Sequence, residues 1–188
     1  MGEICEIYDG THQTPKYTTE GVKFVSVENI KNLYETRKFI SFDDYQKYKI
    51  KPQINDLFMT RIGSIGECAL VDRDENLAYY VTLTLIRPNM NLVLPKYIKF
   101  ILESSYGKKE LYKRTLVYAV PIKINLGDIP KLKIPLPNLE KQKEIVEILD
   151  KFDALVNDLS AGLPAEINAR RKQYEFYRNK LLSFDEIA

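Results

Sequence analysis

The chain has 188 residues, 45% hydrophobic and 29% charged, which is enough for one sizeable core and a smaller appendage. It has no run of about 18 uncharged apolar residues that could span a membrane and no secretory signal pattern, so we expect a cytoplasmic protein without a membrane segment. Cys5 and Cys68 lie far apart and the chain has a single histidine, which argues against a zinc site and predicts reduced thiols buried in strands.

The net charge of +2 is unevenly distributed along the chain. Residues 96–133 contain nine basic and three acidic side chains, whereas residues 139–188 contain more acidic than basic ones. The basic excess fits either a phosphate-binding surface or a solvated face without a partner.

The first part of the chain has the pattern of short strands and turns with few helices. Residues 21–27 alternate apolar and polar side chains as a half-buried strand does. Ser41 is placed to cap a short helix over residues 42–48. Two apolar runs then flank Arg61-Ile-Gly-Ser-Ile-Gly66, which predicts a tight turn with exposed backbone amides.

A helix and an extended segment are predicted next. Pro95 is suited to a first helical position, and apolar residues keep helical spacing from there to Tyr106. Residues 129–137 contain repeated prolines, which predicts an extended connector or edge segment.

The composition changes after Pro137. Asn138 can cap a helix, and apolar side chains recur three and four residues apart from Ile145 onwards, with an interruption at Gly162-Leu163-Pro164. The pattern predicts two helices, or one kinked helix. Its apolar stripe packs either on the same domain or on another chain, and a repeat close to 3.5 residues favours a partner helix. The fold class is therefore α+β: a mixed globular domain over residues 1–137 and a coiled-coil-like two-helix arm over residues 138–188.

A search for catalytic patterns gives mostly negative results. The sequence lacks nucleotide-binding loops, metalloprotease and serine hydrolase motifs, and a methyltransferase Asn/Asp-Pro-Pro-Tyr motif. His12 has no obvious partner acid for a triad. Asp72 and Asp74 could serve a metal-dependent nuclease, although their spacing is typical of a turn.

Residues 9–17 concentrate side chains suited to DNA bases. Gln pairs with adenine, Lys with guanine or phosphate, and Thr contacts the thymine methyl group; the loop holds Thr11, His12, Gln13, Thr14, Lys16 and Tyr17. The alternative is a simple turn with His12 as a surface residue. The turn at Arg61 could likewise offer amides and the Ser64 hydroxyl to a phosphate.

Five segments occur together in one order. They are Asp9-Gly-Thr-His-Gln-Thr-Pro-Lys-Tyr17, Phe24-Val-Ser-Val-Glu-Asn-Ile30, Arg61-Ile-Gly-Ser-Ile-Gly66, Ile134-Pro-Leu-Pro-Asn-Leu-Glu-Lys-Gln-Lys-Glu-Ile-Val146, and Gly162-Leu-Pro-Ala-Glu-Ile167 followed by Arg170-Arg-Lys-Gln-Tyr-Glu-Phe-Tyr-Arg-Asn-Lys-Leu-Leu182. In this combination the chain closely resembles one half of the DNA-specificity subunit of type I restriction-modification systems, over nearly its whole length.

The resemblance implies that residues 1–137 form a target-recognition domain that reads half of an interrupted site in double-stranded DNA. Residues 138–188 would form the helical spacer that docks partners. The subunit would have no enzymatic activity and no cofactor, because modification subunits bind S-adenosylmethionine and methylate adenine, and restriction subunits use ATP and Mg²⁺ to cleave. Loop chemistry and placement in the family together give these DNA-binding residues: Thr11, His12, Gln13, Thr14, Lys16, Tyr17, Arg61, Ser64, Lys113, Arg114, Lys123 and Asn125.

Family members usually carry two such units, and one is present here, as a half-subunit, a recombinable cassette or an excised part. If the chain acts as it stands, we expect a homodimer with two-fold symmetry formed through the tail helices. The expected dimer or partner contacts are Ile148, Leu149, Phe152, Leu155, Leu159, Ile167, Tyr174 and Tyr177. Two alternatives stay open: the recognition fragment of a fused restriction-methylation enzyme or small nuclease, and a scaffold protein whose helical tail is its function.

Overall fold

The computed structural model describes residues 1–158 and 164–183. The strands are β1 (Cys5–Asp9), β2 (Tyr17–Thr18), β3 (Val22–Val25), β4 (Phe39–Ile40), β5 (Leu57–Thr60), β6 (Cys68–Leu70), β7 (Leu77–Tyr79), β8 (Leu83–Pro88), β9 (Thr115–Leu116) and β10 (Lys123–Ile124). The helices are α1 (Phe42–Gln46), α2 (Pro95–Glu103), α3 (Ser105–Tyr112), α4 (Leu139–Asp158) and α5 (Pro164–Leu181), with short 3-10 turns at Val27–Asn29, Leu33–Glu35 and Leu126–Lys131.

The central sheet is antiparallel, with strand order β1-β8-β5-β6. All four residues of β5 are buried, because both faces of the strand are covered. Leu57 and Met59 join the core on the helical side, whereas Phe58 joins the core on the opposite side. The period of two along a strand explains this division, and the sheet forms the middle layer of the molecule.

A second sheet, of order β2-β4-β3-β7, covers the face of the central sheet that carries Phe58. Val25 and Leu77 lie on β3 and β7, which are parallel neighbours, and both pack in the core with Phe58. The strand predicted over residues 21–27 is present as β3, but it ends at Val25, because Ser26 precedes a 3-10 turn that starts at Val27. Ser41 caps α1 as predicted, with its side chain accepting a hydrogen bond from the Asp44 amide.

The helical layer begins at Pro95, as predicted, but α2 ends earlier than the apolar spacing indicates. Ser104 has an extended backbone, and its hydroxyl oxygen accepts a hydrogen bond from the Gly107 amide at 3.2 Å. This capping bond starts α3, so Tyr106 lies in a separate helix and the prediction of a continuous helix to Tyr106 is wrong. A serine side chain that bonds a nearby amide favours a helix start over helix continuation.

Helix α4 begins where the sequence predicts. The Asn138 side-chain oxygen accepts a hydrogen bond from the Lys141 amide at 2.9 Å. The buried Gln142 side chain then accepts from the Leu94 amide at 2.9 Å and donates to the Leu92 carbonyl at 3.0 Å. These bonds fix the first turns of α4 on the segment that leads into α2.

The apolar stripe of α4 faces its own domain. Ile145 and Leu149 are buried in the same core as α2, and Leu182, just after α5, joins them. The expectation that Leu149 lies at a contact with another chain is therefore wrong, because its side chain is 0% exposed within this chain. The period of a stripe shows which side chains are buried, but not which surface covers them.

Of the remaining predicted interface residues, four have described side chains and three do not. Ile148 is 38% exposed, and Phe152 stacks on Tyr177 with ring centroids 5.5 Å apart. Tyr174 is half-buried against the helical-side core. The predicted contacts whose side chains fall outside the described residues are Leu155, Leu159 and Ile167.

The predicted positions of the cysteines are confirmed, whereas the proline-containing segment differs from its prediction. Cys5 and Cys68 are free, buried and located in β1 and β6, as predicted. The proline-containing segment that was expected to be extended from Ile129 instead forms a 3-10 turn up to Lys131, because the fixed backbone angle of proline is compatible with such a turn. None of the helices described in residues 1–158 and 164–183 has the length and apolar character needed to cross a membrane.

Candidate nucleic-acid interface

Two of the predicted reading segments leave the central sheet at the same edge. β1 and β5 both run antiparallel to β8, so they point in the same direction. Asp9, the last residue of β1, lies opposite Thr84, and Thr60, the last residue of β5, lies opposite Leu83. The loop after Asp9 and the turn after Thr60 therefore emerge side by side.

An ion pair between the buried Arg61 and the half-buried Asp9 joins these two segments. Arg61 donates from one terminal nitrogen to both carboxylate oxygens of Asp9, at 2.8 and 3.0 Å. The Arg61 side chain is 7% exposed, and its other terminal nitrogen donates to the Ile124 carbonyl oxygen at 3.4 Å. This burial disagrees with the expectation that Arg61 reaches a ligand, since the guanidinium is used to hold three segments of the protein together.

His12 has a partner acid that the sequence analysis did not identify. Its Nε2 atom lies 2.7 Å from the second carboxylate oxygen of Asp9, and the His12 side chain is 70% exposed. Because Asp9 is already bonded to Arg61, the contact fixes His12 against the loop base. His12 therefore has a nearby acid, contrary to the prediction, and is a surface side chain whose orientation is fixed by Asp9.

The loop over residues 10–16, between β1 and β2, is called the opening loop; its base is fixed and its outer residues are exposed. Thr11 bonds through its backbone to the end of β7 and the residues just after it: its amide donates to the Tyr79 carbonyl and its carbonyl accepts from the Val81 amide. A side chain at Gly10 would come within 2.4 Å of the Tyr80 backbone, so only glycine fits there. The side chains that stand in solvent beyond this base are His12, Gln13, Thr14 and Lys16.

Tyr17 lies where the opening loop ends, in β2. Its ring is 44% exposed and meets the buried Phe24 ring edge-on at 5.7 Å. Lys38 lies over the Tyr17 ring at 6.0 Å. The ring is therefore available at the surface and held in position by its neighbours.

The turn at Arg61 is joined to the β9–β10 hairpin. The Ile124 amide donates to the Arg61 carbonyl at 3.0 Å, and the Gly63 amide donates to the Ile122 carbonyl at 2.9 Å. The Gly66 amide bonds back to the Thr60 carbonyl. The two glycine amides that were expected to be free for a phosphate are therefore satisfied inside the protein.

The predicted basic DNA contacts near the hairpin differ in their exposure and in their ion-pair partners. Lys113 and Arg114 both pair with the buried carboxylate of Glu110. Burial opposes ionisation of Glu110, but hydrogen bonds from these cations and from the Lys133 amide outweigh it and lower the pKa of Glu110 below its usual range. Lys123 is exposed in β10. The remaining two predicted positions are Ser64, which is half-buried, and Asn125, whose amide nitrogen lies 3.4 Å from Asp128.

An open cleft of about 630 Å³ lies between the opening loop and residues 44–50. Lys16 and Lys47 line it on opposite sides, and Tyr79 also borders it. Burial raises the pKa of the Tyr79 hydroxyl well above its usual range. In the part of the chain that the structure describes, no group of three or more His, Cys, Asp or Glu side chains is arranged to hold a metal ion, and Asp72 and Asp74 are exposed.

The structure thus brings the opening loop, the Arg61 turn and the hairpin to one edge. Sequence reasoning missed the residue that organises them, because Asp9 and Arg61 are 52 residues apart and no local pattern connects them. It also missed Tyr118 and Val120 at the hairpin tip, which are almost fully exposed. Apolar residues in a loop between two short strands were the only signal available.

Comparison with known proteins gives a consistent result. A family model described as "Type I restriction modification DNA specificity domain" matches residues 1–169. A sequence of Haemophilus influenzae named as a type I restriction enzyme specificity subunit is 33% identical over 150 residues, which is 78% of this chain and 37% of that protein. The Escherichia coli EcoR124I/EcoR124II specificity subunit is 62% identical over 52 residues, which is 28% of this chain and 13% of that protein.

Solved structures show the same fold. The crystal structure of the HsdS subunit from Thermoanaerobacter tengcongensis matches with a TM-score of 0.66 and 21% identity, over 96% of this chain and 43% of that one. A chain from a structure of an assembled type I restriction-modification system matches with a TM-score of 0.68 and 21% identity, over 98% of this chain and 45% of that one. The chain spans less than half the length of each of these relatives. With its family model matched over residues 1–169, the chain belongs to the type I restriction-modification DNA specificity domain family.

Proposed function

We propose that this chain is a non-catalytic DNA-reading unit, which binds one half of an interrupted site and thereby directs adenine methylation and restriction by partner subunits. The observation that carries the proposal is the network of Asp9, Arg61 and the Ile124 carbonyl. It fixes three segments with DNA-binding chemistry at one edge of the sheet. A reading surface needs this rigidity, because base discrimination depends on well-placed donors and acceptors.

The two kinds of contact in DNA recognition divide between the exposed side chains of this edge. Gln13 and Thr14 can contact base edges, whereas Lys16 and Lys123 can contact phosphates, which position the protein without reading sequence. Arg61 contributes indirectly, because it holds the opening loop and the β9–β10 hairpin in position. We infer a location in the cytoplasm and no cofactor for this chain, with S-adenosylmethionine, ATP and Mg²⁺ bound by modification and restriction subunits.

The helical layer supplies the second part of the proposal, docking of partner subunits and pairing of two copies. The side chains available for it are those left uncovered by the chain's own core: Ile148, Phe176 and Tyr177 are at least 37% exposed. Phe176→Asp should weaken self-association, because it would bury a charge in the seam; Arg171→Asp, which is exposed on a different face of α5, is the control. An unchanged mass by light scattering for Phe176→Asp would contradict pairing through this face.

The decisive experiment maps methylated adenines in DNA from cells that carry the chain with its modification subunits. One methylated sequence with two half-sites is the expected result, and identical inverted half-sites would indicate two copies of this unit. A second measurement is the affinity for that site at several salt concentrations, which should fall as salt rises because phosphate contacts release counterions. Absence of site-specific methylation and of DNA binding in the assembled complex would overturn the proposal.

The enzyme and scaffold alternatives have separate tests. Magnesium-dependent DNA cleavage, or S-adenosylmethionine binding by the chain without partners, would support an enzyme. Assembly of partner subunits without any contribution to DNA affinity would support a scaffold. The match to a DNA specificity domain over residues 1–169 favours the reading unit over both.

A further inference from the structure

The tip of the β9–β10 hairpin exposes two large hydrophobic side chains. Tyr118 is 97% exposed and Val120 is 99% exposed. Neighbouring Leu116 and Ile122 are 44% and 38% exposed, and residues 116–122 are apolar without interruption. Apolar patches of this kind on a soluble protein mark places where another molecule binds.

This tip stands on a fixed base. β9 and β10 pair in register, with Leu116 opposite Lys123 and Thr115 opposite Ile124. The hairpin is then tied to the Arg61 turn through a bridge between Ile62 and Lys123. The apolar tip therefore projects from the same edge as the opening loop, and binding there needs little ordering of the backbone that supports it.

The charge around the hairpin favours a polyanion over an apolar protein surface. Residues 105–133 contain seven basic and two acidic side chains, a net charge of +5. Lys123 lies within the hairpin itself, directly after the tip. An apolar tip with cationic flanks matches the way in which DNA-binding proteins insert apolar side chains between base pairs while cations hold the phosphates.

We propose that Tyr118 and Val120 form a wedge that enters the bound DNA between adjacent base pairs and unstacks them. The proposal rests on the DNA-reading function and gives the hairpin a role that base reading does not include. Its consequence concerns the methylation step, because an adenine must leave the base stack before a partner subunit can methylate it. A wedge that has already unstacked the neighbouring step lowers the free energy needed for that movement.

The test uses the chain assembled with its modification subunits on target DNA that carries 2-aminopurine beside the methylated adenine. Binding of the unmodified complex should raise 2-aminopurine fluorescence, since unstacking relieves its quenching. Tyr118→Ala and Val120→Ala should reduce that rise and weaken DNA affinity by about tenfold for the tyrosine. Tyr118→Phe keeps the ring and should behave as the unmodified complex does.

Met90→Ala and Leu92→Ala are the matched controls, because both residues are exposed and apolar but follow β8, at the opposite edge of the central sheet. Neither should alter the fluorescence rise. All four wedge and control positions are exposed, so thermal unfolding should be unchanged by these substitutions.

The outcomes separate the wedge from the function on which it rests. An unmodified complex that fails to bind target DNA overturns both. Normal binding with an equal fluorescence rise in Tyr118→Ala and Val120→Ala overturns the wedge alone. Loss of the modification subunits from these variants on size-exclusion chromatography also overturns it, since the tip would then be a protein-docking surface.

Discussion

The helical layer and the loop edge of the central sheet both have sequence patterns that indicate interfaces. In the structure, the pattern residues of the helical layer are mostly buried, whereas those of the opening loop are exposed. The apolar stripe of α4 faces inwards, with Ile145 and Leu149 in the chain's own core. The loop edge keeps Gln13 and Lys16 in solvent and buries the arginine that supports them. Apolar periodicity therefore identifies buried side chains without saying what covers them, whereas a polar loop becomes a surface only when something fixes its base.

The largest expected effect tests the inward-facing stripe. Leu149→Ala should lower the free energy of unfolding by about 3–5 kcal/mol, because it removes a fully buried side chain and leaves a cavity. The neighbouring Ile148→Ala is the matched control and should cost much less, since Ile148 is partly exposed. Urea denaturation of both variants measures the difference. Equal costs would mean that the stripe is not covered by this chain.

The ion pair at the loop edge gives the next effect. Asp9→Asn keeps the shape of the side chain but removes the charge that neutralises the buried Arg61 guanidinium. We expect a loss of about 2 kcal/mol in the free energy of unfolding, together with weaker DNA binding, because the opening loop and the Arg61 turn lose their common anchor.

His12→Ala is the control for this prediction, since it removes only the exposed contact of Asp9. Its effect on unfolding should stay within about 0.5 kcal/mol. If Asp9→Asn and His12→Ala have the same small effect on urea denaturation, the pair with Arg61 does not hold the edge together.

These two regions also show what the sequence could predict. Elements with a local chemical signal were correctly predicted: Ser41 begins α1 and Asn138 begins α4 through the expected capping bonds. The helix break at Ser104 was missed, because the apolar spacing continues across it while its hydroxyl caps the next helix. A local competition between a side chain and the backbone decided the outcome there.

The candidate site was predictable in chemistry and not in architecture. The opening loop was identified from its own residue types, which need no knowledge of the fold. The Asp9–Arg61 contact required the parallel course of β1 and β5, which depends on both strands pairing with β8. Lys113 and Arg114 were predicted to bind DNA without regard to Glu110, which lies one helical turn before them, because the burial of that carboxylate is a tertiary property.

The contribution of the Glu110 charge to stability can be tested through its pH dependence. The folded protein holds the pKa of Glu110 below its usual range, so its carboxylate stabilises the fold at neutral pH, and this contribution is lost as the pH falls from the ordinary carboxyl pKa through the lowered one. Glu110→Gln should therefore cost about 1 kcal/mol at pH 7 and less at pH 3. Urea denaturation at both pH values measures this, with Glu147→Gln on the exposed side of α4 as the control. A cost for Glu110→Gln that is independent of pH would contradict the role of the charge.

The smallest expected effect on stability is at the outer part of the opening loop. Gln13→Ala and Lys16→Ala should leave the free energy of unfolding within about 0.5 kcal/mol of the unmodified chain, since both side chains are exposed. Their effects on DNA should differ. Lys16→Ala should weaken binding to all sequences and lower the salt slope by about 1, whereas Gln13→Ala should relax the preference at one base pair.

Lys143→Ala on the exposed side of α4 is the control for the loss of a positive charge. It should change neither the salt slope nor the mapped methylation sites. Gln13→Ala and Lys16→Ala variants that methylate the same sites with unchanged affinity would show that the opening loop is only a support. Base reading would then be expected from the β9–β10 hairpin, which Arg61 holds at the same edge through the Ile124 carbonyl.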